Sequence, residues 1–292
     1  MIKFGPVFTA MVTPFDNELK VDFKRLAELA LKLLDSGSTG LVVVGTTGES
    51  PTLTKEEKLS VFRAVKEVVG NKAPVIAGTG SYSTQESINL SKEVEKIGVD
   101  GLLLVNPYYN KPSQEGLYQH FKTVAGAVDL PVILYNHPGR TGVSIDPQTM
   151  EKLAGIKNIV AVKDSSGSLS LISEYKLCTP SDFMIYSGDD PLTLPILSVG
   201  GAGVISVASH IAGADINKMV TSFLNGDIET AQKIHYRLFD LFKVLFCAPS
   251  PAPTKAALKM TGFSVGGVRL PLLDVNEADY AKIKAVMDKI TK

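Results

Sequence analysis

The sequence has no tryptophan, only two cysteines in 292 residues, and no net charge, because thirty lysines and arginines offset thirty aspartates and glutamates. Charge balance removes the usual electrostatic reason to expect nucleic acid or an anionic membrane surface as partner. No apolar run approaches the roughly eighteen residues of a membrane-spanning helix. Cys178 and Cys247 lie far apart and outside any C-x-x-C, which argues against a disulfide framework and for a reducing, cytoplasmic setting. The opening Met1-Ile2-Lys3-Phe4-Gly5-Pro6 reaches glycine and proline too early to hold the apolar core of a signal peptide. His120, His137, His210 and His235 have no metal-ligand spacing, and they read as surface or packing residues. There is no Gly-Lys dipeptide, hence no Walker-type phosphate loop. One G-x-S-x-G, from Gly262 to Gly266, follows a helical pattern instead of a strand, so the context of a nucleophile elbow is missing.

What is present is a regular alternation. Apolar, β-branched runs recur at Val7–Met11, Leu41–Val44, Pro74–Ala77, Gly101–Val105, Pro131–Leu134, Ile159–Val162, Phe183–Tyr186 and Gly203–Val207. Leu41-Val42-Val43-Val44 and Ile159-Val160-Ala161-Val162 are apolar on consecutive positions, as strands buried on both faces of a parallel sheet must be. Helical periods lie between them. From Asp22 to Leu34 one stripe carries Phe23, Leu26, Ala27, Ala30, Leu33 and Leu34. Thr54 and Glu57 form a capping-box pattern. Ser83 or Thr84 opens a further helix that Gly98 stops, and Ser113 opens another. Shorter helices fit after Asp146, Ser168 and Asp190.

Eight strands alternating with helices predict an α/β fold, a (β/α)8 TIM barrel, over residues 1–225. A dinucleotide-binding sheet would place G-x-G-x-x-G after the first strand, and no glycine stands there. From Asp227 onward the pattern is helical only, at Glu229–Phe246, Ala252–Met260 and Glu277–Ile290, and residues 226–292 read as a C-terminal helical extension.

In such a barrel chemistry gathers where strands end and βα loops begin. Lys163 ends a strand whose four preceding residues are apolar. An apolar interior disfavours the ammonium form, and a neutral amine condenses with a ketone to a Schiff base. A lysine at a strand end that snorkels to solvent is the commoner outcome for such a residue taken alone; its neighbours at the other strand ends decide. Thr46 and Thr47, between Gly45 and Gly48, bring two hydroxyls and backbone N–H groups that can hold a carboxylate and relay a proton, or form a plain connecting turn. Tyr135 can act as a general acid–base if a neighbour assists its high intrinsic pKa, or serve as a half-buried barrel tyrosine. Arg140, in a Pro-Gly-Arg-Thr-Gly turn, can fork onto a substrate carboxylate or sit on the surface. Tyr108-Tyr109 follows Pro107 in a loop and suits a subunit interface. Asp189-Asp190 admits a metal pair, but Asp190 before Pro191 reads better as a helix N-cap.

Gly45-Thr46-Thr47-Gly48-Glu49-Ser50, Asn106-Pro107-Tyr108-Tyr109-Asn110-Lys111-Pro112, Tyr135-Asn136, Arg140-Thr141-Gly142 and Lys163 together resemble the 4-hydroxy-tetrahydrodipicolinate synthase (dihydrodipicolinate synthase) family of pyruvate-dependent class I aldolases. The resemblance runs nearly end to end, through Leu270-Pro271. It implies a lyase that condenses pyruvate with L-aspartate 4-semialdehyde in lysine and diaminopimelate synthesis. It implies that Lys163 forms the Schiff base, that Tyr135 donates and accepts the proton, and that Thr46 links it to Tyr109 reaching in from a neighbouring subunit. Thr47 then holds the pyruvate carboxylate, Ile205 gives backbone contacts to pyruvate, Gly188 is a further substrate contact, and Arg140 binds the semialdehyde carboxylate. The family works as a cytoplasmic homo-oligomer, typically a tetramer, with no metal or organic cofactor. Two other readings stand beside this one: a pyruvate aldolase for another aldehyde (a 2-keto-3-deoxy sugar acid, 4-hydroxy-2-oxoglutarate or N-acetylneuraminate type) and a non-catalytic keto-acid-binding barrel. The intact set of Lys163, Tyr135 and Thr46 speaks against the last, since a binder needs no proton relay.

In two respects the chain departs from the family pattern. His137 stands where an apolar residue is usual. Many bacterial members respond to lysine at a subunit interface through two histidines, an asparagine, a glutamate and a tyrosine; the matching positions here are Lys55, Lys58, Tyr82, Glu86 and Tyr108. Two added cations repel a cationic effector. Weak or absent inhibition by lysine is therefore expected: initial rates unchanged by millimolar lysine agree with this, and a sharp inhibition curve contradicts it.

Overall fold

The computed structural model describes residues 4–290; the opening Met1, Ile2 and Lys3, read above for a leader, lie outside them. Eight strands, β1 (Val7–Ala10), β2 (Gly40–Val43), β3 (Val75–Gly78), β4 (Gly101–Val105), β5 (Val132–Asn136), β6 (Ile159–Asp164), β7 (Met184–Ser187) and β8 (Gly203–Ser206), close into one barrel in chain order. Every neighbouring pair is parallel, and β8 closes on β1 through Val7 against Val204. The fold class expected from consecutive apolar strands is the one found.

Two strands run further than their apolar cores. β5 continues to Asn136 and β6 to Asp164, with Tyr135 opposite Lys163 and Asn136 opposite Asp164 in the register. The polar ends stay in the ladder because their outward side chains bond one another: Asn136 donates to the Asp164 carboxylate at 2.8 Å and accepts from Asn106 at 2.9 Å. Tyr135 and Lys163 are thus strand residues, held by rigid backbone.

Local signals place most helices. Asp22 caps Phe23–Asp35 by accepting from the Arg25 amide, and Thr54 and Glu57 complete a reciprocal capping box on Lys55–Val69. Ser83, Ser113 and Ser168 cap Thr84–Ile97, Gln114–Ala125 and Leu169–Cys178. Ser209–Leu224, which follows β8, has no capping side chain and a non-helical Ala212 inside it, so its period is interrupted and the sequence did not mark it out. Three helices follow, Ile228–Val244, Ala252–Met260 and Glu277–Ile290. Their apolar faces, with Ile234, Leu238, Leu241 and Ile283, share one cluster with Val7 and Val204 of the barrel and with Ile216. Among the described residues no helix is long and apolar enough to cross a membrane.

Strand residues alternate between two cores. Val42, Ile76, Leu103, Ile133, Ala161 and Ile205 face inward, while Leu41, Leu102, Leu104, Leu134 and Val162 pack outward against the helices. Where the strands begin, Phe4, Phe8 and Tyr186 meet edge to face with ring centroids 5.8 Å apart and fill the barrel. Phe8 lies over Gly40, where an added Cβ would come within 2.6 Å of its Cδ1. Gly40→Ala is expected to lower stability by about 1–3 kcal/mol, the usual cost of overpacking. The double variant Gly40→Ala with Phe8→Leu should regain part of the loss in calorimetric unfolding; strictly additive losses contradict the contact.

Candidate active site

Lys163 is the fifth residue of β6, directly above Ala161 on the inward face. It is buried, and among the described residues its Nζ makes no hydrogen bond or ion pair; it stands 4.3 Å from the centroid of the Tyr135 ring. Desolvation disfavours the ammonium ion here. The buried Asp190 carboxylate works in the opposite direction, and the Arg140 guanidinium adds to the lowering, leaving Lys163 at about 8 against an ordinary 10.5. An amine with that value is neutral in a sizeable fraction of molecules near neutrality, which is the condition for attack on a carbonyl carbon.

The space around that nitrogen depends on Gly188. A Cβ there would lie 2.9 Å from Lys163 Cε and still nearer the Ser165 hydroxyl, so the residue after β7 has to be glycine for the lysine to keep its place. The Gly188 amide donates to the Asp164 carbonyl at 2.7 Å, which ties the end of β7 to the end of β6.

Tyr135 is buried beside Lys163. Burial pushes its phenol above the ordinary value, and the Arg140 guanidinium, then the Ser165 and Thr46 hydroxyls, offset part of that rise. These are the neighbours a phenol needs to exchange a proton instead of merely packing. Thr46 and Thr47 occupy a tight turn after β2, in which the Gly48 and Ser50 amides both donate to the Gly45 carbonyl, at 3.1 and 3.3 Å. A small cavity of about 60 Å³ lies between Thr46, Tyr108 and Tyr135. Ile205 of β8 is buried in the interior cluster.

Arg140 lies in a short helix, Pro138–Thr141, at the mouth. It is exposed, and among the described residues its guanidinium has no ion pair or hydrogen bond, although it bears electrostatically on Lys163, Tyr135 and His137. A cation with no counter-charge at the mouth suits an anionic ligand. Tyr109 is the site residue the chain does not bring inward: it is 92% exposed, on a left-handed backbone with φ 72°. Tyr108 instead turns toward Tyr82, ring centroids 5.4 Å apart, and Asn110 donates to the Tyr82 carbonyl.

The structure corrects the reading of Asp190. The short turn Asp190–Leu192 is entered through Asp189, without a capping side chain, and the Asp190 carboxylate instead accepts from the Val207 and Ala208 amides at 3.0 and 2.9 Å. It therefore fastens the end of β8 and supplies the buried negative charge facing Lys163. Ser165 is a second neighbour to which sequence reasoning attached no role. His137 packs edge to face on Tyr135 at 5.8 Å, and burial with the nearby Arg140 and Lys163 holds its imidazole down at about 4, so it is neutral. Among the described residues no group of three or more His, Cys, Asp or Glu side chains could hold a metal.

Lys55, Lys58, Tyr82, Glu86 and Tyr108 line one cavity of about 500 Å³ beside this site. Lys55 pairs with Glu93 at 2.5 Å. Burial holds Lys58 below the ordinary lysine value while Glu86 draws it back up, so the carboxylate in the cavity already faces a cation of the chain itself.

The model of the dihydrodipicolinate synthetase family matches residues 3–290. The 4-hydroxy-tetrahydrodipicolinate synthase of Heliobacterium modesticaldum is 54% identical over 287 residues, covering 98% of this chain and 96% of that one. The enzyme of the same name from Bacillus subtilis is 52% identical over 290 residues, covering 99% and 100%. The crystal structure of a dihydrodipicolinate synthase from Bacillus anthracis superposes with a TM-score of 0.97 at 51% identity, covering 99% of each chain.

Proposed function

The chain belongs to the dihydrodipicolinate synthetase family, and on that premise we propose how its own residues divide the work of the family's reaction. The enzyme is a lyase that condenses pyruvate with L-aspartate 4-semialdehyde to 4-hydroxy-tetrahydrodipicolinate, in lysine and diaminopimelate biosynthesis. The observation that carries the assignment of roles is the buried Lys163 nitrogen, without a hydrogen bond among the described residues and held at about 8, against the face of Tyr135.

Neutral Lys163 attacks C2 of pyruvate; with one proton taken up from solvent the carbonyl oxygen leaves as water, and a cationic iminium links Nζ to C2. The positive nitrogen draws electrons from C3, which yields a proton to Tyr135, and Thr46 passes that proton on. Thr47 and the backbone around Ile205 and Gly188 hold the pyruvate carboxylate and keep C3 facing the mouth. The enamine C3 then bonds to the aldehyde carbon of the semialdehyde, whose oxygen takes a proton back through Tyr135. Arg140 receives the semialdehyde carboxylate. The substrate amine finally replaces Nζ at C2, which closes the ring and frees Lys163. Electrostatics at each step come from groups already in place, which costs no reorganisation during the reaction.

Tyr109 has no role within its own barrel, so we assign it to the site of a second copy, and a homo-oligomer, in keeping with a tetramer, completes the proton relay. A cytoplasmic setting fits the two unpaired cysteines. Lys58 facing Glu86 in the neighbouring cavity supports weak or absent lysine inhibition.

An aldehyde panel assayed with pyruvate, products identified by NMR, tests the reading. L-aspartate 4-semialdehyde is expected to be turned over far better than uncharged sugar aldehydes. Arg140→Ala should lower kcat/KM for the semialdehyde about 10- to 100-fold, the worth of a charge-assisted hydrogen bond at roughly 1.5–3 kcal/mol. Lys163→Ala should abolish turnover by orders of magnitude. Unaltered kinetics in the arginine variant argue for another aldehyde; near wild-type rate in the lysine variant refutes the covalent role.

A further inference from the structure

The turn that carries Thr46 and Thr47 is anchored by residues from the far end of the chain. Glu49, two residues on from Thr47, has a left-handed backbone with φ 57° and a side chain only 1% exposed. Its carboxylate pairs with Lys255 of the helix Ala252–Met260 at 2.6 Å, and Lys255 is itself 2% exposed. The second carboxylate oxygen accepts from the Arg269 backbone amide at 2.9 Å. The Arg269 guanidinium donates to the Thr52 carbonyl at 2.9 Å and forks onto Glu57 at 2.6 and 2.8 Å. Both cations lie over Phe15, at 4.2 and 4.4 Å from its ring centroid, and Lys255 also donates to the Gly267 carbonyl at 2.7 Å.

A buried ion pair of this kind is a poor stabiliser, because desolvation offsets the attraction and apolar residues of similar volume serve as well or better. What it does supply is direction. Thr13 donates to the Gly48 carbonyl at 2.7 Å, and the Glu49 amide donates to the Thr46 carbonyl at 3.1 Å. A left-handed residue without glycine's freedom holds its conformation only when its surroundings impose it. With Glu49 fixed at both oxygens, the hydroxyls of Thr46 and Thr47 are fixed through two to three residues of tightly bonded backbone.

We propose that Glu49, Lys255 and Arg269 are positioning residues that clamp the Thr46–Thr47 turn, so that the segment after the barrel sets the geometry of pyruvate binding and proton relay without touching substrate. The inference rests on reading that turn as the pyruvate and proton-relay site. It makes the C-terminal segment a support of the site, and it separates two properties: Schiff-base formation depends on Lys163 and the groups around its nitrogen, whereas carboxylate binding and proton transfer depend on the clamp.

The test uses the full chain and two variants. Removing one partner leaves a buried charge unpaired, so Glu49→Gln with Lys255→Met is made as a pair, and Arg269→Lys keeps charge and backbone amide while losing the fork. Three readouts are taken: the adduct mass after borohydride reduction with saturating pyruvate, exchange of the pyruvate C3 hydrogens for deuterium without aldehyde, and KM for each substrate. The paired variant is expected to reach full adduct while exchange slows and the pyruvate KM rises, each by about tenfold, with the semialdehyde KM within about twofold. Arg269→Lys should move the same two quantities by about threefold. Wild-type exchange and pyruvate KM in a folded paired variant overturn the clamp, as does an equal loss in every readout. If the paired variant does not fold, Arg269→Lys decides, and unchanged exchange with unchanged pyruvate KM overturns it. Wild-type protein that gives neither adduct nor exchange overturns instead the assignment of the site, a result separable from failure of the clamp.

Discussion

Everything the site does depends on keeping one amine out of water. The barrel achieves this with apolar residues beneath Lys163, an aromatic face beside it and a glycine where any side chain would crowd it. Desolvation is the largest influence on its protonation, and it prevails although the buried Asp190 carboxylate draws the proton back. That opposition is useful. Burial without a counter-charge would leave a nucleophile but disfavour the cationic iminium that follows, whereas a carboxylate near by favours the charged intermediate.

Position is kept by polar groups on the other side of the same strands. Asn106, Asn136 and Asp164 form a chain across the ends of β4, β5 and β6, and Asn136 also accepts from the Ile145 amide at 3.1 Å. A slip of one residue would exchange inward and outward sets, so this outward network fixes which side chains enter the barrel. Burial raises the Asp164 carboxyl above the ordinary value, and its hydrogen bonds from Ser166 and Asn136 offset only part of that rise. The reactive pair and its scaffold are therefore alternate residues of the same two strands, Tyr135 and Lys163 inward, Asn136 and Asp164 outward.

What could be read beforehand, and what could not, divides along sequence distance. Strands apolar on both faces, a serine, threonine or aspartate before several helical stripes and the residues ending each strand are local features, and they foretold the barrel and singled out Lys163, Tyr135, Thr46, Thr47 and Arg140, whereas Gly188 and Ile205, the latter inside β8, were pointed to by the family resemblance alone. The helix Ser209–Leu224 escaped because Ala212 breaks its period. Asp190 looked like a cap because aspartate before proline commonly is one; its bonds to Val207 and Ala208 come from seventeen and eighteen residues away. Glu49 gave no local sign of its partners, and Arg269 lies 220 residues on. His137 remains a departure whose neutral ring has a place, against Tyr135, but no derived task.

The central claim is that Lys163 loses its proton near pH 8 because the barrel desolvates it. It is tested most directly by the initial rate at which pyruvate adds to the Lys163 peptide, captured by brief borohydride reduction and read by mass spectrometry, across pH 6 to 10. The neutral amine is the reactive form, so the rate is predicted to rise with pH, to pass its midpoint at about 8 and to level off above it. A midpoint near the ordinary lysine value of 10.5, or no adduct on Lys163 at any pH, contradicts the account.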